Sequence, residues 1–128
     1  MSASIDPDGK NGGPLVETLS STRAQSTGTF TWNTMPEQLQ ARGISWKIYS
    51  TTDGNAGDNV LTYFKQYQTN PQLAARAFTP TFPGDFHADC SSGLLPQVSW
   101  VLAPLAWTEH PPSPPDWGQY ATEQVLTR

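Results

Sequence analysis

Four prolines occupy positions 111, 112, 114 and 115 of the segment LAWTEHPPSPPDW, which covers residues 105–117. Each proline fixes its backbone φ angle and lacks an N–H donor, so neither a helix interior nor a central strand can contain the segment. The segment is therefore predicted to be a stiff connection between two regular elements. It follows the strand-like sequence QVSWVLAP, and Pro104 ends that strand.

A helix is predicted on the far side of this connection. Pro115 suits the first helical turn, where its missing N–H has no intrahelical partner to lose. The apolar residues after it recur at helical spacing and share one face of the helix; they are Trp117, Tyr120, Ala121 and Val125.

Helical and strand-like patterns alternate through the rest of the chain. Polar, turn-rich sequence fills residues 1–29 and 50–59, which are predicted to be loops. The first predicted elements are a helix capped by Asn33 or Thr34 and ended by Gly43, and a strand at 45–50. A second helix is predicted to be capped by Asp58, with Val60, Leu61, Phe64 and Tyr67 facing inward. A helix at 71–78, a turn or two of helix within 84–92 and a strand at 97–102 follow. This order predicts an α/β fold with a parallel sheet.

The fold class indicates where a site would lie. In open α/β sheets, ligands bind beyond the carboxyl ends of the strands, which is where the proline-rich connection begins. His110 is a candidate proton donor, proton acceptor or phosphate contact, and Glu109 a candidate to orient or charge-stabilise its imidazole. The alternative for both is an ordinary surface position. Trp107, the tryptophan in this loop, is the candidate ligand contact, whereas Trp46 and Trp100 are predicted to be core.

Charge and composition exclude some classes of function. The chain has a net charge of −4, and its seven Lys and Arg residues are scattered singly, so a nucleic-acid surface is not expected. Its one cysteine, Cys90, cannot form an internal disulfide. No apolar run approaches the roughly 20 residues that a membrane-spanning helix needs.

Two segments resemble metal sites but lack the required pattern. His87, Asp89 and Cys90 lie close together in FHADC, yet they supply too few ligands for a zinc site. The segment from Asp6 begins like a calcium loop, but Lys10 replaces the oxygen ligand at the fifth position. No metal ligand is therefore assigned within the chain.

Three stretches together resemble the bacterial phospholipase C family of the mycobacterial and Pseudomonas type, and the mycobacterial members most of all. They are TWNTMPEQLQARGISWKIYS, DNVLTYFKQYQ and TPTFPGDFHADCSSGLLPQVSWVLAPLAWTEHPPSPPDWG. The opening SIDPDGKNGGP is similar too, and LPQVSWV followed by EHP and the prolines is the most specific part.

The resemblance implies that residues 1–128 are an interior fragment of one longer catalytic domain. The implied fold is α/β, part of an alkaline-phosphatase-like, mostly parallel sheet with flanking helices that is incomplete at both ends. The implied enzyme uses a hydroxyl nucleophile and a divalent metal. It cleaves phosphatidylcholine, and often sphingomyelin, at a membrane surface to a diacylglycerol or ceramide and phosphocholine. It is exported, or acts at the cell envelope.

Little of the family's catalytic set occurs in this chain. The nucleophile segment with Pro-Asn-Arg and the metal motifs Glu-Asn-Arg and Asp-Glu-Asn-Asp-Gly are missing, so the metal ligands are expected outside it. The matching motif is Glu109-His110-Pro111, whose histidine the resemblance directs toward the phosphate. A phosphomonoesterase of the acid-phosphatase type, from the same superfamily, and a binding or structural module without chemistry remain as alternatives.

Overall fold

Two parallel strands form the sheet in a computed structural model that describes residues 27, 28, 30–51 and 59–128. Five α-helices accompany them in this part of the chain. In order, the elements are α1 (Met35–Ala41), β1 (Trp46–Tyr49), α2 (Lys65–Thr69), α3 (Pro71–Phe78), α4 (Gly84–Ser92), β2 (Val98–Val101) and α5 (Pro115–Leu126). The predicted α/β class and the parallel pairing are thus confirmed for the described residues.

The two strands differ in burial. Trp46 pairs with Val98, and Tyr49 pairs with Val101. In β1 the side chains of Trp46, Ile48 and Tyr49 are buried, whereas every residue of β2 is only half-buried. Strand β1 therefore lies at the centre of the described structure, and β2 lies at its edge.

The predicted helix ends are local sequence effects that the structure confirms. Thr34 precedes α1, and its backbone N–H donates to Glu37 Oε2 over 2.9 Å, which is the reciprocal half of a capping box. Gly43 follows α1 with a φ of 72°, in the left-handed region that favours glycine. Asn70 caps α3, where its side-chain oxygen accepts from the N–H groups of Gln72 and Leu73.

One predicted helix is divided in two. A 3₁₀ helix at Val60–Tyr63 precedes α2, and the residue between them, Phe64, has extended backbone. Phe64 leaves the helical path because it forms a parallel bridge with Phe30. Asn59 caps the 3₁₀ helix; Asp58, the cap that the sequence predicts, lies outside the described residues.

The described core consists of two apolar clusters. The larger contains Trp46, Ile48, Leu61, Phe64, Tyr67, Leu73 and Ala77. The smaller contains Tyr49, Phe82 and Phe86, and Trp107 and Val125 pack against it. The smaller cluster thus joins β1 and α4 to the start of the proline-rich connection and to the last turn of α5.

Most of the predicted loop 1–29, the calcium-like segment within it and most of the loop at 50–59 lie outside the described residues. Of the helices in the described part of the chain, none has both the length and the apolar character to cross a membrane.

Candidate functional site

The loop that carries His110 is stiffened by its own hydrogen bonds. A 3₁₀ helix at Leu105–Trp107 follows β2, and Thr108 Oγ1 donates to the Leu105 carbonyl over 2.8 Å. The His110 N–H donates to Thr108 Oγ1 over 3.3 Å. The Ser113 N–H donates to the His110 carbonyl over 2.8 Å. These bonds, with the prolines, give the loop one path from the carboxyl end of β2 to α5.

The imidazole of His110 is oriented by a backbone carbonyl. Its Nδ1 lies 2.8 Å from the Pro111 carbonyl oxygen, and the residue is exposed. A carbonyl oxygen only accepts hydrogen bonds, so Nδ1 carries the proton and donates. Nε2 is then left to face solvent or a ligand. Neutral His110 presents a proton acceptor at Nε2, and protonated His110 presents a donor there.

Glu109 lies on α5. A β-carbon added to Gly118 would come within 2.5 Å of Glu109 Oε1 and 2.8 Å of its Cδ, so the Glu109 side chain covers this glycine. Glu109 also lines a surface groove of about 410 Å³ with residues of α5 and its end, which are Gln119, Thr122, Glu123, Leu126 and Thr127. In the described part of the chain, its carboxylate makes no hydrogen bond to the His110 imidazole. The orienting role that the sequence gives Glu109 stays a prediction.

Trp107 packs between α4 and α5. Its half-buried ring meets Tyr120 edge-to-face at a centroid distance of 4.9 Å, and it meets Phe82 the same way at 6.2 Å. These contacts attach the start of the loop to the smaller apolar cluster. The structure thus brings Trp107, Glu109 and His110 onto one connection, with Trp107 and Glu109 both packed on α5. A contact between Trp107 and a ligand stays a prediction.

His87, Asp89 and Cys90 do not converge on a common point. The Nε2–H of His87 donates to the Gln124 carbonyl of α5 over 3.0 Å, which joins α4 to α5. Asp89 bonds instead to Lys47 and Tyr49 of β1. Among all the residues that the structure describes, no group of three or more His, Cys, Asp or Glu side chains is arranged to hold a metal ion. The divalent metal that the resemblance implies does not fit these residues.

Lys47, Tyr49 and Asp89 form a polar cluster that no local sequence pattern indicates. The Lys47 ammonium pairs with Asp89 Oδ2, and the Tyr49 hydroxyl donates to the same oxygen over 2.5 Å. Lys47 and then Tyr49 lower the pKa of Asp89 by hydrogen bonding. Burial, and secondly the bond to Asp89, raise the pKa of Tyr49. The cluster joins β1 to α4, and a separation of 40 residues or more leaves no local pattern to find it by.

A second groove of about 280 Å³ lies at the amino end of β1, beside Ser45 and Trp46. Its two cationic side chains are already engaged. Arg76 lies 6.0 Å from the Trp46 ring and donates to Gln40, and Lys47 pairs with Asp89. The loop with His110 leaves the carboxyl end of β2, so this groove is not part of the candidate site.

Comparison with known proteins gives consistent matches along the chain. The model of the phosphoesterase family matches residues 1–128. "Non-hemolytic phospholipase C" of Pseudomonas aeruginosa is 37% identical over 125 residues, covering 94% of this chain and 18% of the relative. "Phospholipase C B" of Mycobacterium tuberculosis is 39% identical over 134 residues, covering 98% and 25%. "Non-hemolytic phospholipase C" of Burkholderia pseudomallei is 35% identical over 150 residues, covering 95% and 20%. The chain thus spans between about a fifth and a quarter of the length of these relatives.

Proposed function

The chain belongs to the phosphoesterase family, and on that premise we propose that the protein carrying it is a phospholipase C, which hydrolyses a phosphoric diester. The observation that carries this proposal is the agreement of three relatives named phospholipase C, each matched over at least 94% of the chain. The chain spans at most 25% of these relatives. We propose that the activity belongs to a longer catalytic domain, of which residues 1–128 form an interior part.

His110 is the proposed acid of the reaction. A hydroxyl oxygen of the enzyme loses its proton to solvent and attacks phosphorus, which forms a bond to phosphorus and breaks the bond between phosphorus and the lipid oxygen. Water then hydrolyses the new bond and releases phosphocholine. Protonated Nε2 of His110 gives its proton to the departing alkoxide, while Nδ1–H stays on the Pro111 carbonyl and holds the ring in place. This role is supported by the exposure of His110 and by the position of the loop beyond β2.

A bound divalent metal supplies charge stabilisation to phosphoryl oxygens in such reactions. The described residues do not fit such a metal, so no step is assigned to it here. We propose that its ligands, and the hydroxyl nucleophile, lie outside residues 1–128. We also propose that β1 and β2 belong to a larger, mostly parallel sheet of the alkaline-phosphatase type, a placement supported by the half-buried state of every β2 residue.

The proposed substrate is a choline phospholipid at a membrane surface: phosphatidylcholine, with sphingomyelin as a second substrate. Trp107 is the proposed contact for the choline ammonium, because a tryptophan ring attracts a cation over its face. The proposed location of the protein is the cell envelope or the exterior, as the resemblance to exported phospholipases C implies. Cell fractionation with detection of the protein tests the location.

The competing function is hydrolysis of phosphate monoesters. The test measures initial rates of the protein carrying this chain on phosphatidylcholine vesicles, sphingomyelin vesicles and p-nitrophenyl phosphate, each with and without added divalent metal. Release of phosphocholine from either lipid, at a higher kcat/KM than for the monoester, supports the proposal. Turnover of the monoester alone assigns the phosphomonoesterase function instead. Absence of turnover on all three favours the non-catalytic module.

A further inference from the structure

Gly118 lies in the interior of α5, where glycine is less favourable than alanine because it loses more backbone freedom on folding. Its backbone does not require a glycine. The described glycines with left-handed φ angles are elsewhere, at Gly28, Gly43 and Gly93. An explanation for Gly118 must therefore come from what lies next to it.

The Glu109 side chain occupies the space that a side chain at position 118 would fill. An added β-carbon would meet Glu109 Cγ, Oε1 and Cδ, the last two at 2.5 and 2.8 Å. Carbon atoms in contact normally lie about 3.5–4.0 Å apart, so even alanine at position 118 displaces Glu109. Glycine is the residue that lets Glu109 lie directly on α5.

This contact adjoins His110. The bonds from His110 to Thr108 and Pro111 lie within the loop, so they make the loop stiff without fixing its place on the protein. Placement comes from contacts with other elements. They include the Trp107 ring on Phe82 and on Tyr120, and the Glu109 side chain on Gly118. Glu109 immediately precedes His110 in the sequence, so its contact with Gly118 lies next to the residue that carries the imidazole.

We propose that Gly118 is a positioning residue: its missing side chain lets Glu109 pack on α5, and that contact fixes where the loop presents Nε2 of His110. The proposal rests on the proposed function for its effect on catalysis. The contact itself is independent of that function. Alanine at position 118 must move the Glu109 side chain, and under this proposal the loop moves with it. A displacement of about 1 Å at a reacting group can cost on the order of 10²-fold in rate.

The experiment compares Gly118→Ala, Glu109→Ala and the double variant in the protein carrying this chain. We expect each single variant to lower kcat on phosphatidylcholine by about tenfold or more, with KM changed much less. The double variant should be no slower than the slower single variant, because both changes remove the same contact. The melting temperature of Gly118→Ala should stay equal or rise, since alanine favours the helix.

Gly84→Ala, at the start of α4, is the matched control. A β-carbon added there meets the Thr81 hydroxyl at 3.0 Å rather than Glu109, so kcat should stay unchanged. A second readout is free of catalysis. The ring Cε1–H NMR signals of His110 and His87 are assigned in the protein carrying this chain by their loss in His110→Ala and in His87→Ala. Gly118→Ala should shift the His110 signal and leave that of His87 in place.

An unshifted His110 signal, or kcat within twofold of the parent for Gly118→Ala while His110→Ala is inactive, overturns the positioning role and leaves the proposed function standing. If the His110 signal shifts but His110→Ala retains full kcat, the contact is established and the proposed catalytic role of His110 fails.

Discussion

At the scale of single residues, the most informative atom is Nδ1 of His110. Its hydrogen bond to the Pro111 carbonyl fixes the neutral tautomer and directs the opposite ring nitrogen outward. Histidines that act on a substrate or hold a metal commonly have one nitrogen bound in this way. His87 differs, because its Nε2 is bound to the Gln124 carbonyl within the packing of α4 against α5.

The first prediction concerns His110→Ala in the protein carrying this chain. Loss of a proton donor in the transition state should lower kcat by about 10²–10⁴-fold. KM should change much less, because the lost interaction forms mainly in the transition state. The melting temperature should stay close to that of the parent, since the exposed imidazole buries little area.

His87→Ala is the matched control for this measurement. Its imidazole links two helices, so its loss should lower the melting temperature and leave kcat of the remaining folded enzyme near normal. A stable His110→Ala variant with kcat within a few-fold of the parent would remove His110 from the reaction.

Two roles of Trp107, packing of the loop and the proposed contact with a cationic head group, can be separated by comparing substrates. Its packing on Phe82 and Tyr120 supports the loop for every substrate, whereas a cation–π contact of roughly 0.5–2 kcal/mol would act only on a cationic head group. Trp107→Ala should therefore lower kcat/KM more on phosphatidylcholine than on a phospholipid whose head group has no positive charge. Equal losses on the two lipids would leave Trp107 with the packing role alone.

At the scale of secondary-structure elements, Asp89 holds α4 against β1. Its carboxylate receives hydrogen bonds from Lys47 and from the buried Tyr49 hydroxyl, and its side chain is 15% exposed. Hydrogen bonds to a charged group contribute about 1.5–3 kcal/mol each to stability when both partners are well placed. The Tyr49 hydroxyl would also lose a partner if Asp89 were replaced by an apolar residue.

Asp89→Asn should lower the free energy of unfolding by about 1–3 kcal/mol at pH 7. The pKa of Asp89 is lowered in the folded chain, first by Lys47 and then by Tyr49. The stabilisation is thus complete above the unfolded value of about 3.9 and is lost as the pH falls through the folded pKa. The gap in melting temperature between parent and variant should be widest near pH 7 and should close below about pH 4.

Asp116→Asn is the control for this series, because Asp116 lies in the exposed first turn of α5 rather than between a strand and a helix. Its gap in melting temperature should be smaller than that of Asp89→Asn at pH 7. A gap for Asp89→Asn that stays constant from pH 7 to pH 3 would contradict the ionic role of Asp89.

At the scale of the whole molecule, the described surface has large apolar side chains in contact with water. Leu94 is 68% exposed and Leu126 is 77% exposed, and Leu105 and Trp117 are also exposed. Strand β2 is half-buried throughout. Exposed apolar area and strand edges with unpaired backbone groups favour association between chains.

The 128-residue chain on its own should therefore self-associate. It should not hydrolyse phosphatidylcholine, because the nucleophile and the metal ligands are proposed to lie outside residues 1–128. Sedimentation velocity measures the first property and phosphocholine release the second. Leu94→Gln combined with Leu126→Gln should reduce the associated fraction. A sharp, cooperative melt of a soluble monomer, or metal-dependent lipid hydrolysis by this chain, would contradict the expectation.

The sequence by itself determined most of the local structure that the described residues show. Prolines and glycines delimit helices through φ, so Pro71 begins α3 and Gly43 follows α1 as predicted. Thr34 caps α1 in a capping box with Glu37, which is also a local effect. Apolar runs predicted both strands, and their alternation with helices predicted parallel pairing. These effects act over a few residues, which is why a single sequence reveals them.

Only the tertiary structure decided which residues meet across long separations. Phe64 leaves its helix to pair with Phe30, Asp89 bonds to side chains of β1, and Glu109 lies on Gly118. The position of the His110 loop was predictable because prolines and a strand end are local features. The contacts that hold Glu109 and Trp107 on α5 were not, because a contact between two elements depends on how they pack, and no local periodicity encodes that packing.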